Sequence, residues 1–188
     1  MAARRRRVTP LVAFSGPSGA GKTTLLERLV AELVRRGLAV AALKHSGHPH
    51  AFDVPGKDTD RLRRAGARAV AVQGPGQLAW FGPPRAGGAR GLVRLLPPAD
   101  VVVAEGFKSE RLPRVEVHRR AVSRAFLCAR DRSVIAVVTD EPPPRGLPAF
   151  APEEVERLAD FLVERLRLGR GARRRATGVR RRRGAQGP

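Results

Sequence analysis

Residues 16–23 read Gly16-Pro17-Ser18-Gly19-Ala20-Gly21-Lys22-Thr23 and are the most informative segment of the chain. It matches the phosphate-loop pattern GxxxxGK[ST] at every fixed position. Glycines let the backbone turn so that successive N–H groups point at phosphate oxygens, and the following helix adds its positive amino end. We therefore expect Lys22 to reach the β- and γ-phosphates of a nucleotide and Thr23 to offer its hydroxyl to Mg²⁺.

The flanking sequence has the order that a phosphate loop requires. Residues 11–15 form a short apolar run that predicts a buried strand, and residues 22–36 carry leucines and valines on one helical face. Gly37 stands where a helix C-cap is expected, and residues 38–43 predict a second strand. The β-α-β order favours an α/β fold, a three-layer P-loop NTPase-like domain with a mainly parallel central sheet.

The remaining elements are predicted from apolar patterning and turn residues. They include two weak strands, a Gly/Pro/Arg-rich loop, an exposed strand that alternates, and a final amphipathic helix that opens at Pro152. In chain order we expect a short helix at 60–65, strands at 69–72 and 78–81, a loop at 82–91, strands at 99–104, 115–118 and 134–138, and the final helix.

The net charge of +20 lies mostly at the two ends of the chain. Residues 169–188 hold eight arginines and no acidic residue, and residues 4–7 are four more arginines. We therefore divide the chain into a basic N-terminal tail (1–9), a nucleotide-binding domain (10–168) and an Arg-rich disordered tail (169–188). A nucleic-acid-binding ATPase is one alternative function, but the tails lack aromatic residues for base stacking, so we expect at most non-specific contacts.

Composition also indicates the cellular compartment of the protein. No apolar run approaches the ~20 residues that span a bilayer, so no membrane association is expected. The single cysteine, Cys128, permits no internal disulfide, which favours a reducing cytoplasm. Only four of the 37 basic residues are lysines, and all four fall in segments that carry functional signals: Lys22, Lys44, Lys57 and Lys108.

Acidic residues after buried strands are the candidates for Mg²⁺ binding and water positioning. Glu105 ends an apolar strand, where a phosphate-loop protein needs a carboxylate. In the loop after the second strand, Asp58 is the stronger candidate beside Asp53 and Lys57, with a helix N-cap as its alternative role. Histidines at His45, His48 and His50 form a weak candidate for a transition-metal site, and His118 is equally compatible with a surface strand.

Four blocks of sequence resemble the MobB family of nucleotide-binding adaptors in molybdenum cofactor guanine dinucleotide synthesis. The first is the phosphate loop extended through Thr24 to Leu26, which many nucleotide-binding proteins share, whereas the later blocks are specific. The later blocks are Arg36-Gly37-Leu38-Ala39-Val40 with Lys44-His45, Pro55-Gly56-Lys57-Asp58-Thr59 with Ala65-Gly66-Ala67, and Glu105-Gly106-Phe107-Lys108 with Glu116-Val117-His118-Arg119.

The resemblance implies a GTP-binding, weakly hydrolysing homodimer that assists the molybdenum cofactor guanylyltransferase. By similarity, residues 16–24, Lys57, Asp58 and Glu105 are nucleotide and Mg²⁺ groups. Guanine preference needs a separate residue, and Asp140 follows a buried strand where GTPases of similar architecture place an aspartate that accepts two hydrogen bonds from guanine. The alternative role of Asp140 is a turn residue before three prolines.

A small-molecule kinase is the strongest alternative function, because the same phosphate loop opens such enzymes. A kinase also needs a base for the acceptor hydroxyl and usually an arginine-bearing lid over the phosphates. Arg85 and Arg90 lie in the Gly/Pro/Arg-rich loop and are the candidates for that lid. The sequence shows no clear acceptor pocket.

Overall fold

The structure is a computed structural model that describes residues 8–47, 52–83, 87–144 and 146–169. The described ranges contain eight strands, four α-helices and one short 3-10 helix at Leu127–Ala129. The strands are β1 (Leu11–Ser15), β2 (Val40–Lys44), β3 (Val70–Gly74), β4 (Gln77–Phe81), β5 (Val101–Glu105), β6 (Arg114–Val117), β7 (Val134–Val138) and β8 (Ala149–Phe150). The helices are α1 (Lys22–Arg35), α2 (Asp58–Arg64), α3 (Gly88–Val93) and α4 (Val155–Arg165).

Six strands form the central sheet in the order β2-β5-β1-β6-β7-β8, and every neighbouring pair is parallel. The strand that precedes the phosphate loop therefore lies between β5 and β6. Because parallel strands end at one edge of the sheet, the segments that follow β1, β2, β5, β6 and β7 meet there. This arrangement confirms the predicted α/β fold with a mainly parallel sheet.

Helices cover the two faces of the sheet and bury its apolar side chains. Along β1, Val12 and Phe14 face one cluster with the apolar sides of α1 and α4, while Leu11 and Ala13 face a second cluster that includes Ala89 of α3. This alternation has the period of two that a strand imposes. The result is the three-layer arrangement expected from the order of elements.

Helix α1 ends as its sequence predicts. Gly37 has φ of 80°, a left-handed conformation that suits glycine, and its N–H bonds to the carbonyl of Val34. Arg36 then ties α1 to α4 because its guanidinium donates to the carboxylate of Asp160 at 2.6 Å and to the carbonyl of Glu156 at 3.0 Å. The C-terminal helix is thereby fixed over the phosphate-loop helix.

Strands β3 and β4 form a separate antiparallel hairpin. Among the described residues it pairs with no strand of the central sheet, so both of its outer edges stay open. It also carries apolar side chains at the surface, of which Leu78 is 71% exposed and Trp80 is 43% exposed. The weak strands predicted here exist, but neither belongs to the core.

Strand β6 corrects the prediction of an exposed strand. The sequence alternates apolar and polar residues, yet all four positions of β6 are buried because the strand lies between β1 and β7. Its polar side chains find partners inside the protein. The Glu116 carboxylate accepts the backbone N–H groups of Leu127 at 2.7 Å and Cys128 at 2.8 Å. Burial of His118, which is 0% exposed, likewise excludes a surface-strand role for it.

Two further element predictions need correction. The second half of the predicted 82–91 loop is helical, since α3 begins at Gly88 and the Glu110 carboxylate caps it by accepting the N–H of Ala89 at 2.9 Å. Helix α2 begins at Asp58, two residues before the predicted start. There the Asp60 carboxylate accepts the N–H of Gly56 at 2.7 Å and fixes the turn that enters the helix.

Candidate functional site

The phosphate loop runs from the end of β1 to the start of α1 and has the backbone that a phosphate cradle requires. Gly19 and Gly21 have φ of 80° and 84°, conformations that L side chains rarely adopt. Gly16 packs against the backbone carbonyl of Val117, and a β-carbon there would overlap that oxygen. These glycines therefore have specific conformational and packing roles. Residues 18 and 19 form the exposed tip, and Ala20 is buried beneath it.

Lys22 is the first residue of α1, and its ammonium folds back over the loop. Its Nζ atom donates to the carbonyl oxygen of Pro17 at 2.7 Å. Partial burial lowers the pKa of the Lys22 ammonium, an effect that Glu105 opposes and that Lys108 and Lys44 reinforce. The lysine is thus held at the cradle, among other charged groups.

Glu105 joins the phosphate loop to the neighbouring strand ends. The Thr23 hydroxyl donates to Glu105 Oε2 at 3.0 Å, and the Lys44 ammonium lies 3.6 Å from the same oxygen. A hydroxyl and a carboxylate are oxygen donors of the kind that Mg²⁺ prefers, with phosphates and waters completing an octahedron. The pairing of Thr23 with Glu105 thus fits the magnesium site that the sequence suggests. Thr24, in the next position of α1, is exposed.

A buried arginine fixes the segment that follows Glu105. The Arg114 guanidinium, which is 2% exposed, donates to Ser15 Oγ at 2.8 Å and to the carbonyl of Glu110 at 2.7 Å. Ser15 Oγ in turn donates to the carbonyl of Gly106 at 3.1 Å. This chain of bonds links the residue before the phosphate loop to the residue after Glu105, and so sets the position of Glu105 relative to Thr23.

Asp140 lies at the rim of an open cleft of about 720 Å³ at the carboxyl ends of β7 and β8. Arg119 lines the same cleft, and its Nη2 atom is 3.9 Å from the position of a β-carbon on Gly21. The cleft and the phosphate cradle are therefore adjacent. Asp140 Oδ1 accepts the backbone N–H of Arg120 at 3.0 Å, which lowers the pKa of the Asp140 carboxyl. The volume lies within the range of small-ligand sites, about 300–1,000 Å³.

Three predicted residues of the 53–58 segment are not brought into contact with the phosphate loop. Among the described residues, the side chains of Lys57 and Asp58 make no hydrogen bond or ion pair. Asp58 is the first residue of α2, while Lys57 holds the N-cap position without a side-chain cap bond, so the structure does not support an N-cap role for Asp58. Asp53 instead accepts the Thr59 hydroxyl at 2.6 Å and braces α2.

The histidines fall into two different settings. The ring of His45 lies 5.1 Å from that of Phe107, whereas His48 and His50 lie outside the described residues. Within the described ranges, no group of three or more His, Cys, Asp or Glu residues is arranged to hold a metal. His118 is stacked on Phe126 with ring centroids 3.7 Å apart, and its Nε2 lies 2.8 Å from Glu141 Oε1.

The structure does not support the kinase hypothesis through the two arginines predicted to form a lid. Arg85 lies outside the described residues. Arg90 is an exposed residue of α3. The buried side of α3 packs on one face of the sheet, and α1 packs on the other. Arg90 is therefore not placed over the phosphate loop.

Four residues of the site received no role from sequence reasoning: Lys44, Lys108, Arg114 and Arg119. The scarcity of lysine was a usable signal for the first two, because every lysine falls in a functional segment. Arg119 lies two residues after β6, at the same edge of the sheet as Glu105, which is the last residue of β5. Arg114 gave no local signal, since an arginine at the start of a strand is ordinary.

A parallel sheet, a phosphate loop after its central strand and a carboxylate at the end of the adjacent strand define an α/β protein of the P-loop NTPase type. A family model sharpens this assignment: it is described as MobB, molybdopterin guanine dinucleotide synthesis protein B, and matches residues 11–140. The chain therefore belongs to the MobB family, as the sequence blocks predict.

Curated relatives and solved structures agree with this assignment. The molybdopterin-guanine dinucleotide biosynthesis adapter protein of Haemophilus influenzae is 34% identical over 87% of this chain and 93% of its own length. The adapter of the same name in Escherichia coli K12 is 34% identical over 85% and 94%. The crystal structure of Bacillus subtilis MobB superimposes with a TM-score of 0.63 at 28% identity, covering 84% of this chain and 98% of that one. Within the described ranges, no helix is long and apolar enough to cross a membrane.

Proposed function

We propose that this protein binds GTP with Mg²⁺ and serves as an adaptor that assists the attachment of GMP to molybdopterin by the molybdenum cofactor guanylyltransferase. The observation that carries the nucleotide part is the contact of Thr23 with Glu105 beside a complete phosphate loop. Family membership supports the biosynthetic part, since the family is named for molybdopterin guanine dinucleotide synthesis. The cytoplasm is the compartment we propose.

In this proposal each part of the nucleotide has its own residues. Residues 16–24 surround the phosphates, and Thr23 and Glu105 hold Mg²⁺, which would neutralise charge on the β- and γ-phosphates. Asp140 reads guanine from the rim of the adjacent cleft. One carboxylate oxygen already accepts the N–H of Arg120, yet a carboxylate has about four acceptor positions, so capacity remains for the donors of guanine.

We propose that hydrolysis is slow and that nucleotide occupancy is the main role of the site. Glu105 is engaged by Thr23 and would be committed to Mg²⁺ in the proposed complex, so it is not poised as a free base. The side chain of Asp58, the other candidate for positioning water, is exposed and makes no hydrogen bond or ion pair among the described residues. These features suit a protein that holds its nucleotide for a partner better than one that turns it over quickly.

We further propose a homodimer, with the hairpin of β3 and β4 as the surface that contacts a second copy. Its outer edges present unpaired backbone groups in the described structure, and such edges readily add strands from another chain. Exposed Leu78 and Trp80, together with Leu62 of α2, add apolar area of the kind that interfaces cover. Sedimentation of the intact protein and of Leu78→Glu tests this surface, since the charged variant should shift towards monomer.

The nucleotide proposal is tested by titrating GTP into the purified protein with Mg²⁺ and with a chelator. Wild-type protein should bind GTP more tightly with Mg²⁺, and Glu105→Gln should lose most of that dependence while keeping its metal-independent affinity. Glu27→Gln, an exposed change on α1, is the control. Equal Mg²⁺ dependence in wild type and Glu105→Gln would contradict the assignment of Glu105.

The adaptor proposal is tested by reconstituting the guanylyl transfer reaction from molybdopterin, GTP, Mg²⁺ and the guanylyltransferase. Added protein should raise the yield of guanine dinucleotide cofactor, and Lys22→Ala should raise it less. A yield that is unchanged by wild-type protein would contradict the adaptor role. Appearance of a phosphorylated small alcohol from ATP would support the kinase hypothesis instead.

A further inference from the structure

Lys44 ends β2 at the point where three strands finish side by side. In the parallel registers Lys44 pairs with Glu105, and Phe14 pairs with Glu105 from the other side. The Lys44 ammonium and the Thr23 hydroxyl approach the same carboxylate oxygen, at 3.6 and 3.0 Å. Glu105 Oε2 thus has two partners from opposite sides, one from the phosphate loop and one from β2.

Positively charged side chains outnumber negatively charged ones around Lys22 and Glu105. Lys22 interacts electrostatically with Glu105, Lys44 and Lys108, and Glu105 contacts both Lys44 and Thr23 of the phosphate loop. Like charges at close range are unfavourable unless anions join them. A polyphosphate supplies that negative charge.

A divalent cation bound by Thr23 and Glu105 would change the partner of Lys44. The cation would occupy the carboxylate oxygen that now faces the ammonium, and the two positive groups would repel each other. Glu105 is the less mobile member of the ion pair, because its side chain is 15% exposed against 64% for Lys44. The backbone of Gly106, the next residue, is also closely packed. A β-carbon on Gly106 would lie only 2.9 Å from the carbonyl oxygen of His45. Lys44, a point charge on a flexible stem, is therefore the group that moves.

We propose that Lys44 exchanges Glu105 for the terminal phosphate of a bound nucleoside triphosphate and thereby makes the site prefer GTP over GDP. This inference rests on the proposed function, since it assigns a further residue to the same nucleotide site. A diphosphate offers no terminal group beyond the one that the phosphate loop already binds. The triphosphate would leave Lys44 paired, whereas the diphosphate would leave it next to a cation without a counter-charge.

The test compares dissociation constants for a non-hydrolysable GTP analogue and for GDP, both with Mg²⁺, in wild type and in Lys44→Met. Methionine has a side chain of similar length without the charge. Because Lys44 is exposed, we expect the variant to fold like wild type. We expect the variant to lose about tenfold or more of its affinity for the analogue, as for a lost hydrogen bond between charged groups. Its affinity for GDP should stay the same or rise, because the charge that GDP leaves without a counter-charge is removed.

The control is Arg94→Met, which removes one exposed positive charge from the turn after α3, outside the phosphate site. It should leave the affinities for both nucleotides unchanged. Loss of both affinities by the same factor in Lys44→Met would overturn the inference, as would an unchanged preference. Wild-type protein that binds neither nucleotide would overturn the proposed function as well, so the two failures are distinguishable.

Discussion

Gly16 packs directly against the carbonyl group of Val117, so the first residue of the phosphate loop rests on the backbone of β6. A side chain at Gly16 would overlap an oxygen that belongs to a buried strand and cannot swing away. We expect Gly16→Ala to destabilise the fold by about 1–3 kcal/mol through overpacking and to weaken GTP binding. Thermal unfolding and nucleotide titration measure the two effects.

Gly47→Ala is the matched control for this prediction. Among the residues that the structure describes, none has a heavy atom within 4 Å of a β-carbon added at Gly47, so alanine displaces none of them. Its melting temperature and GTP affinity should equal those of wild type. If Gly16→Ala behaved like Gly47→Ala, the contact with Val117 would not constrain the loop.

Arg119 is expected to contribute to nucleotide affinity irrespective of the number of phosphates. It lies between the cradle and the cleft that Asp140 lines, where the ribose and α-phosphate would lie in the proposed complex. Arg119→Ala should weaken GTP and GDP binding equally, by roughly tenfold, as for loss of one hydrogen bond to a charged group. Arg120→Ala, whose side chain is 80% exposed, should have little effect. A loss confined to GTP would assign Arg119 to the terminal phosphate instead.

Asp140 is expected to set the preference for guanine over adenine. Adenine lacks the pair of donors that a carboxylate accepts from guanine, and loss of a hydrogen bond to a charged group costs ~1.5–3 kcal/mol. Asp140→Ala should therefore reduce the ratio of GTP to ATP affinity by roughly tenfold to a hundredfold. Asp140→Asn keeps an acceptor for the N–H of Arg120 and should therefore preserve the loop. If this variant also has a reduced ratio of GTP to ATP affinity, the effect is due to lost base recognition and not to loop disruption. Competition binding of GTP and ATP decides the matter, and an unchanged ratio would exclude this role.

Glu32 is expected to make stability depend on pH in the acid range. Hydrogen bonds from Arg35 and Arg36 lower the pKa of the Glu32 carboxyl from 4.5 to about 2. A carboxyl with a depressed pKa in the folded state adds stability above its unfolded pKa, and this stability disappears as pH falls through the folded pKa. Glu32→Gln should unfold at lower urea concentration than wild type at pH 7, and the difference should close between pH 4.5 and pH 2.

Urea titrations of both proteins at several pH values test this expectation. Glu27→Gln, an exposed change on the same helix, should leave the urea midpoint unchanged at every pH. A difference between wild type and Glu32→Gln that persisted at pH 2 would mean that packing, and not the charge of Glu32, accounts for the effect.

The parts of the fold that depend on local sequence were predictable. The phosphate loop, the C-cap at Gly37 and the apolar face of α4 each follow from a short pattern, and each is where the pattern indicates. The contact of Thr23 with Glu105 was also within reach, because both motifs end at the same edge of a parallel sheet. Local rules of turn, cap and period are sufficient for such features.

The parts that depend on distant residues were not predictable. Burial of β6 follows from its place between β1 and β7, which its own alternating sequence does not reveal. The N-cap of α3 comes from Glu110, more than twenty residues downstream. Arg114 bonds to Ser15 across 99 positions of sequence, so its role as a clamp appears only when the two strands are neighbours.

The isolated hairpin has a consequence for how the protein responds to dilution. A two-stranded sheet is marginally stable in water unless further strands or a helix pack on it, and in the described structure β3 and β4 pair with no other strand, while α2 contacts β3. Assembly with a second copy would supply the missing partners, so the order of this segment would be linked to protein concentration by mass action. Hydrogen exchange of its amide groups should then speed up as the solution is diluted, while the amides of the central sheet keep a constant rate.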